Sequence, residues 1–306
     1  MMVYNSGLKS QDAESQSQGY SRLVDLRHSY PFVKWAGGKG QILSELDLLI
    51  PTKFNRYFEP FLGGGAMFFH LVSDRNMRFT SYLSDTNDEL ITAYKVVKDS
   101  VAELIQVLKK HQREYDKNPL EYYYKLRDRI QPRNDVEIAA RFITLNKTCY
   151  NGLYRVNKIG KFNVPIGRYK NPTICDGMNL RNVSMVLRYS NAVIHTNDYK
   201  EVLSRVEKDD FIYLDPPYNP VSRTSNFTAY TNRGFDDDDQ LELKKVFVQL
   251  NDKNCKVLLS NSDTLFVRKL YSDFSNHFRE VNVSRAINCK ASKRIGHREL
   301  LIYNYS

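Results

Sequence analysis

The sequence predicts an α/β chain in which a Rossmann-like sheet is interrupted by a basic, mostly helical insert carrying a β-hairpin. Three observations carry this reading. Strand-like and helix-like runs alternate near the amino end, in "RYFEPF" (56–61), "GGGAMFFHLV" (63–72) and "FTSYLSD" (79–85). The same rhythm resumes near Met178, where "NAVIH", "FIYLD" and "KVLLSNSD" are separated by helix-like segments, the pattern of a mostly parallel sheet. Between the halves the rhythm breaks, and residues 87–148 carry helical periodicity.

In chain order, residues 1–29 are rich in Ser and Gln with little periodicity and read as a disordered leader. "RYFEPF" is a short strand, "GGGAMFFHLV" a glycine turn into a helix, and "FTSYLSD" a second strand ending on Asp85. Helices follow over "VAELIQVLKKHQREY" and "VEIAARFITLNKT". The piece "YNGLYRVNKIGKFNVPIGRYKNP" reads as a β-hairpin with a long loop. In the second half, "DDDDQLELKK" opens a helix, since acids suit a helix amino terminus. "RELLIYNY" reads as a closing strand.

Composition narrows the function classes. With 306 residues, 42% hydrophobic and 26% charged, the chain can bury a real core. It contains no apolar run long enough to span a bilayer and no signal-peptide layout, so a cytoplasmic protein is expected. Cys149, Cys175, Cys255 and Cys289 lack the paired spacing of zinc or redox sites, and no metal is expected. The formal net charge is +10, and its distribution says more than its size. Residues 138–175 hold no acid, yet include Arg141, Lys147, Arg155, Lys158, Lys161, Arg168 and Lys170, interleaved with Tyr150, Tyr154, Phe162 and Tyr169. Such a stretch suits a phosphate-tracking surface with rings available to bases. A second basic cluster comprises Arg285, Lys290, Lys293, Arg294, His297 and Arg298.

Three motifs carry chemistry. Gly63, Gly64 and Gly65 follow a strand and open a helix, but Phe68 breaks the dinucleotide fingerprint. Asp85, at the end of the next strand, suits ribose hydroxyls, so a ribose-bearing cofactor, which need not carry a pyrophosphate, is favoured over a structural turn. "KWAGGKGQ" (34–41) fails as a phosphate loop at Val33 and Gly40, though Lys39 can still meet a negative charge. The run "YLDPPYNP" (213–220) ends a core strand on Asp215 and stops it with two prolines. A planar base with an exocyclic amine could give one N–H to Asp215 and one to the Pro216 carbonyl, while Tyr218 stacks on its ring. The implied reaction is direct attack by that amine on a methyl group held over the glycine loop. A base buried in a duplex must first be flipped out.

Taken together, "FVKWAGGKG", "FEPFLGGGAMFF", "LSDTNDELI", "LNKTCYNGLYRVNKIGKFNVPIGRY", "YLDPPYNP", "NFTAY" and "LLSNSD" make the chain similar to the Dam-type, D12-class DNA N6-adenine methyltransferases of the α arrangement. The resemblance implies an S-adenosylmethionine-dependent methyltransferase sheet formed by residues 30–87 and 176–306, with a DNA-recognition domain over 88–175. It sets the cofactor against Trp35, Lys39, Phe61, Gly63, Gly65, Asp85, Asp198, Tyr199 and Asp215. It gives catalysis to Asp215, Pro216, Pro217 and Tyr218. Double-stranded DNA would meet Lys34, Leu153, Arg155, Asn157, Lys158, Pro165, Arg168, Tyr169 and Lys170, with adenine in GATC as the target. A monomer is expected, and a cognate restriction endonuclease is a conceivable partner. An N4-cytosine methyltransferase is the nearest alternative, although that group more often has Ser where Asp215 stands. A nicotinamide-dependent oxidoreductase leaves the proline loop unexplained, and a non-catalytic DNA binder has no need of Asp215.

Overall fold

The computed structural model describes residues 29–219, 235–283 and 297–306. After a 3-10 turn at Lys39–Gln41 comes the short helix α1 (Leu43–Asp47), then β1 (Arg56–Glu59), α2 (Ala66–Phe69) and β2 (Thr80–Asp85). Four helices follow: α3 (Asp88–Asp99), α4 (Val101–Lys117), α5 (Pro119–Asp128) and α6 (Asp135–Thr148). The second half runs α7 (Gly177–Tyr189), β3 (Val193–Thr196), β4 (Phe211–Leu214), α8 (Asp237–Asp252), β5 (Lys256–Ser262), α9 (Leu265–Leu270), β6 (Phe278–Val283) and β7 (His297–Tyr303). No helix among the described residues is long and apolar enough to cross a membrane.

The strands form one seven-stranded sheet in the order β3-β2-β1-β4-β5-β7-β6. The pairs from β3 to β5 are parallel, while β7 runs antiparallel to both β5 and β6. Successive residues of a strand point to opposite faces, and both faces are covered. Thus Tyr57, Phe211, Tyr213 and Leu258 enter one apolar cluster, with α3, α4 and α6. Phe58, Ile212, Leu214, Val257 and Leu259 enter the other, with α8. All four residues of β4 are buried, which is why "FIYL" shows no polar alternation.

Local chemistry sets the helix ends. Side chains of Asn87, Asn118, Asn134 and Asp176 accept the backbone N–H that opens α3, α5, α6 and α7. Asp236 and Asp239 form a reciprocal capping box on α8, so one of the four consecutive acids is the cap itself.

Three features differ from the sequence reading. The helix after the glycine turn changes to π-type winding at His70–Asp74. The strand β6 was not foreseen, because "FREVNV" is short and lies at the sheet edge, where one side needs no partner. The expected hairpin is present as two isolated antiparallel bridges, Cys149–Ile166 and Val156–Phe162, rather than a ladder. Its tip is shaped instead by Asn157, whose Oδ1 accepts the N–H of Ile159 (3.1 Å) and of Lys161 (3.0 Å). The leader up to residue 28, "NFTAY", Pro220 and most of the second basic cluster lie outside the described residues.

Candidate active site

The strand order reverses between β1 and β4, and in open α/β sheets the crevice outside the carboxyl ends of such a pair receives ligands. The glycine loop leaves β1 there, and the loop 215–219 leaves β4. Gly63 has φ +48°, and a Cβ added to it would stand 2.6 Å from Trp35 Cδ1, so the indole lies directly on this backbone. Its N–H donates to Asp85 Oδ2 (3.0 Å), while Asp85 Oδ1 accepts the Asn87 N–H (3.0 Å). Burial raises the Asp85 carboxyl above its ordinary value, and these two N–H groups partly offset the rise.

Trp35 also stacks on Tyr154 of the insert, with centroids 6.1 Å apart and planes at 25°. Trp35, Asp85 and Tyr154 line one cleft of about 700 Å³, together with Arg127, Arg141 and Lys161. That volume suits a nucleoside-sized ligand. Phe61, at the start of the glycine loop, stacks on Tyr199 at 5.1 Å. Asp198 caps the turn that begins at Tyr199 by accepting the Lys200 N–H (3.0 Å).

The second loop is held by groups outside it. Lys39 Nζ lies 2.7 Å from Asp215 Oδ1 and donates to the Gly37 carbonyl at 2.7 Å. The same ammonium stands 4.6 Å from the centroid of the Tyr218 ring. Gln240 Nε2 donates to the Pro217 carbonyl (3.1 Å), and the Asn219 N–H donates to Asn261 Oδ1 (3.2 Å). Asn261 Nδ2 in turn donates to Gln240 Oε1 (2.9 Å), and Asn219 Nδ2 to Asp237 Oδ1 (2.9 Å). Gln240 and Asn261 are fully buried, so this network stays rigid only because its members satisfy one another. The Tyr218 hydroxyl donates to Glu299 Oε2 (2.7 Å).

Two further carboxyls are displaced in pKa. Burial pushes Asp215 up to about 6, with the Lys39 cation opposing and the Glu299 charge reinforcing. Glu59, buried at the end of β1, is pushed up to about 8 chiefly by burial, and it accepts the Tyr57 hydroxyl (2.8 Å).

Besides the Trp35–Tyr154 stack, one buried amide ties the insert to this centre. The Lys34 N–H donates to Asn146 Oδ1 (2.8 Å), and Asn146 Nδ2 donates to the carbonyls of Lys34 (2.8 Å) and Gly152 (3.1 Å). Asn151 and Gly152 both have positive φ, 53° and 64°, and a Cβ on Gly152 would collide with the Lys34 side chain. The "YNG" turn therefore packs on Lys34, whose Nζ lies 3.7 Å over the Tyr169 ring. Leu153 leaves this turn half-buried. Arg155 is exposed, steadied by Nε donating to Asn163 Oδ1 (2.8 Å). Lys158, Pro165, Arg168 and Lys170 are exposed, while Asn157 is engaged in the hairpin tip.

Residues 35–287 match the model of the D12 class of N6 adenine-specific DNA methyltransferases. The chain belongs to that class. It is 46% identical over 290 residues to the Type II methyltransferase M.MjaIII of Methanocaldococcus jannaschii, covering 90% of this chain and 99% of that protein. It is 41% identical to the Type II methyltransferase M1.LlaDCHI of Lactococcus lactis subsp. cremoris, covering 90% and 95%. It is 34% identical to the DNA adenine methylase of Escherichia coli K12, again covering 90% and 95%. As a D12 methyltransferase it takes S-adenosylmethionine as methyl donor and DNA as substrate. The cleft lined by Trp35 and Asp85 fits such a donor in size, with a ring and a carboxylate to meet its nucleoside.

Glu59, Asn146, Gln240, Asn261 and Glu299 also belong to this site, though the sequence alone does not single them out. Asn146 and Asn261 lie in "LNKT" and "LLSNSD". A buried amide amid an apolar run was the available signal, because it needs partners.

Proposed function

We propose that this D12 methyltransferase flips adenine out of duplex GATC and methylates its N6 amine at the Asp215–Pro216–Pro217–Tyr218 loop. The observation that carries the reading is how that loop is held. Gln240 occupies the Pro217 carbonyl, and among the described residues none donates to the Pro216 carbonyl. Asp215 Oδ2 and the Pro216 carbonyl are thus left to accept the two hydrogens of an exocyclic amine, which frees the nitrogen lone pair. The bound donor supplies an electrophilic methyl group. Tyr218 offers the stacking face, and Lys39 keeps Asp215 ionised until the amine replaces it as partner. Held in line, amine and methyl need little further ordering.

We assign Trp35, Lys39, Phe61, Gly63, Gly65, Asp85, Asp198 and Tyr199 to the donor, and residues 88–175 to target recognition. Lys34, Leu153, Arg155, Pro165 and Tyr169 read the site, while Asn157, Lys158, Arg168 and Lys170 serve the backbone around it. The Arg155 fork matches guanine O6 and N7, and Leu153 suits the thymine methyl. The enzyme acts as a cytoplasmic monomer, and its likeness to two Type II methyltransferases suggests a partner endonuclease of the same specificity.

Methylation of duplexes carrying GATC or each of its single-base variants, followed by mass analysis of the product nucleosides, tests this. N6-methyladenine confined to GATC is the expected product. Equal transfer to all duplexes would refute the target.

A further inference from the structure

We propose that Glu299 is a positioning residue that fixes the plane of the Tyr218 ring, and with it the slot that receives the target base. Glu299 belongs to β7, where it pairs with Ser262 of β5 on one side and Val281 of β6 on the other. Its backbone is therefore among the best anchored in the sheet, although it lies 81 residues from the ring it touches. The Tyr218 hydroxyl donates to Glu299 Oε2 at 2.7 Å. The other constraints on Tyr218 act elsewhere: Lys39 stands over the ring face, and Gln240 and Asn261 hold the neighbouring backbone. Without Glu299 the hydroxyl end of the ring would be free to swing about the side-chain torsions.

The identity of the residue supports this role. Arg298, its neighbour in sequence, pairs with Glu280 instead, and among the described residues Glu299 makes no ion pair. A half-buried carboxylate without a cation is unfavourable. Here it also faces Asp215, whose charge it opposes. A residue so placed against the electrostatics of its own site is explained by the hydroxyl it holds. A hydrogen bond to an ionised acceptor is among the stronger neutral–charged contacts.

The inference rests on Tyr218 being the stacking ring, and the test separates the two. The full-length protein is mixed with GATC duplex carrying 2-aminopurine at the target adenine, whose emission rises on flipping and is quenched by stacking. Single-turnover methylation is measured on the unmodified duplex. Glu299→Ala should brighten the flipped probe and slow methylation by roughly ten- to a hundredfold, the scale of one lost hydrogen bond to a charged group. Affinity for S-adenosylmethionine should not change. Glu299→Gln, whose amide oxygen accepts the same hydroxyl, should restore most of the rate. Tyr218→Phe should match Glu299→Ala, and the double variant should be no worse than either. A Glu299→Ala enzyme with wild-type rate and emission overturns the proposal, as does full additivity with Tyr218→Phe. Tyr218→Ala is the control: if it leaves the probe quenched, the stacking reading falls and Glu299's role with it. If it brightens the probe while Glu299→Ala does not, only the role of Glu299 falls.

Discussion

Lys39 and Asp215 form a nearly enclosed ion pair, with Nζ 2.7 Å from Oδ1 and side chains only 4% and 21% exposed. The lysine comes from the "KWAGGKG" segment and the aspartate from the end of β4, so one contact joins the two motifs. Burial alone would favour a neutral Asp215, which could accept no more than a weakened bond from an amine; the ammonium restores the charge.

The first prediction is the acid limb of the reaction. Asp215 must be ionised to accept an amine N–H, and its value of about 6 in the free enzyme lies above the ordinary 3.8. The kcat/KM profile, which reports free-enzyme ionisations, should therefore fall as pH drops through about 6. Lys39→Met removes the stabilising cation and should move the limb to higher pH. Glu299→Gln removes an opposing anion and should move it lower. A limb that ignores both substitutions belongs to another group.

Asp85→Ala should weaken S-adenosylmethionine binding at least tenfold, about 1.4 kcal/mol or more on the scale of a hydrogen-bonded charge. Two effects act together here, loss of a carboxylate in the cleft and release of the Gly63 N–H. Equilibrium titration with the cofactor measures the sum. Unchanged affinity would reduce Asp85 to a brace for the glycine loop.

Glu59 predicts a pH dependence of stability. Its folded value of about 8 lies above the ordinary 4.5, so the folded chain keeps a proton that the unfolded chain has shed. The stability it contributes is whole below the ordinary value and is lost as pH rises to about 8. Glu59→Gln, which has no proton to lose and can still accept the Tyr57 hydroxyl, should remove that slope. Its melting temperature should gain on the wild type between roughly pH 5 and pH 8. A constant difference across that range would show Glu59 to be ionised in the fold.

Arg155 and Lys158 should part company on DNA. Arg155→Ala should relax discrimination at one outer base pair of GATC by roughly 1–3 kcal/mol. Lys158→Ala should weaken binding to all duplexes alike and flatten the salt dependence by about one phosphate contact. Methylation rates on single-base variants and binding at several salt concentrations separate them. Uniform loss for Arg155→Ala would assign it to the backbone.

Much of this site was legible because its residues sit where the chain breaks its own pattern. Asp215 ends an apolar strand, Gly63 interrupts a strand-to-helix passage, and Asp85 closes the next strand, so each is visible as a local anomaly. The supports were not visible in that way. Gln240 lies in an ordinary amphipathic helix and Glu299 in a strand with nothing unusual beside it; only the sheet order brings them to the loop after β4. Asn146 is an intermediate case: a buried amide in "ITLNKT" announces that partners exist, but not that they are Lys34 and Gly152. The expected hairpin with its long loop pairs only in short pieces: the Asn157 and Asn163 N–H groups donate to the Lys161 and Arg155 carbonyls, and bonds to the Asn157 and Asn163 side chains add to that pairing.

The position of β7 has a consequence for synthesis. It lies between β5 and β6 although it is the last of the three along the chain. As the nascent polypeptide leaves the ribosome, the glycine loop and the Asp215 loop are made first, while β5 has an open edge and β6 has no neighbour to join. Only when the final strand slots between them does the Glu299 carboxylate arrive beside Tyr218. A chain that has not yet added β7 thus holds both motifs but lacks the carboxylate that meets the Tyr218 hydroxyl.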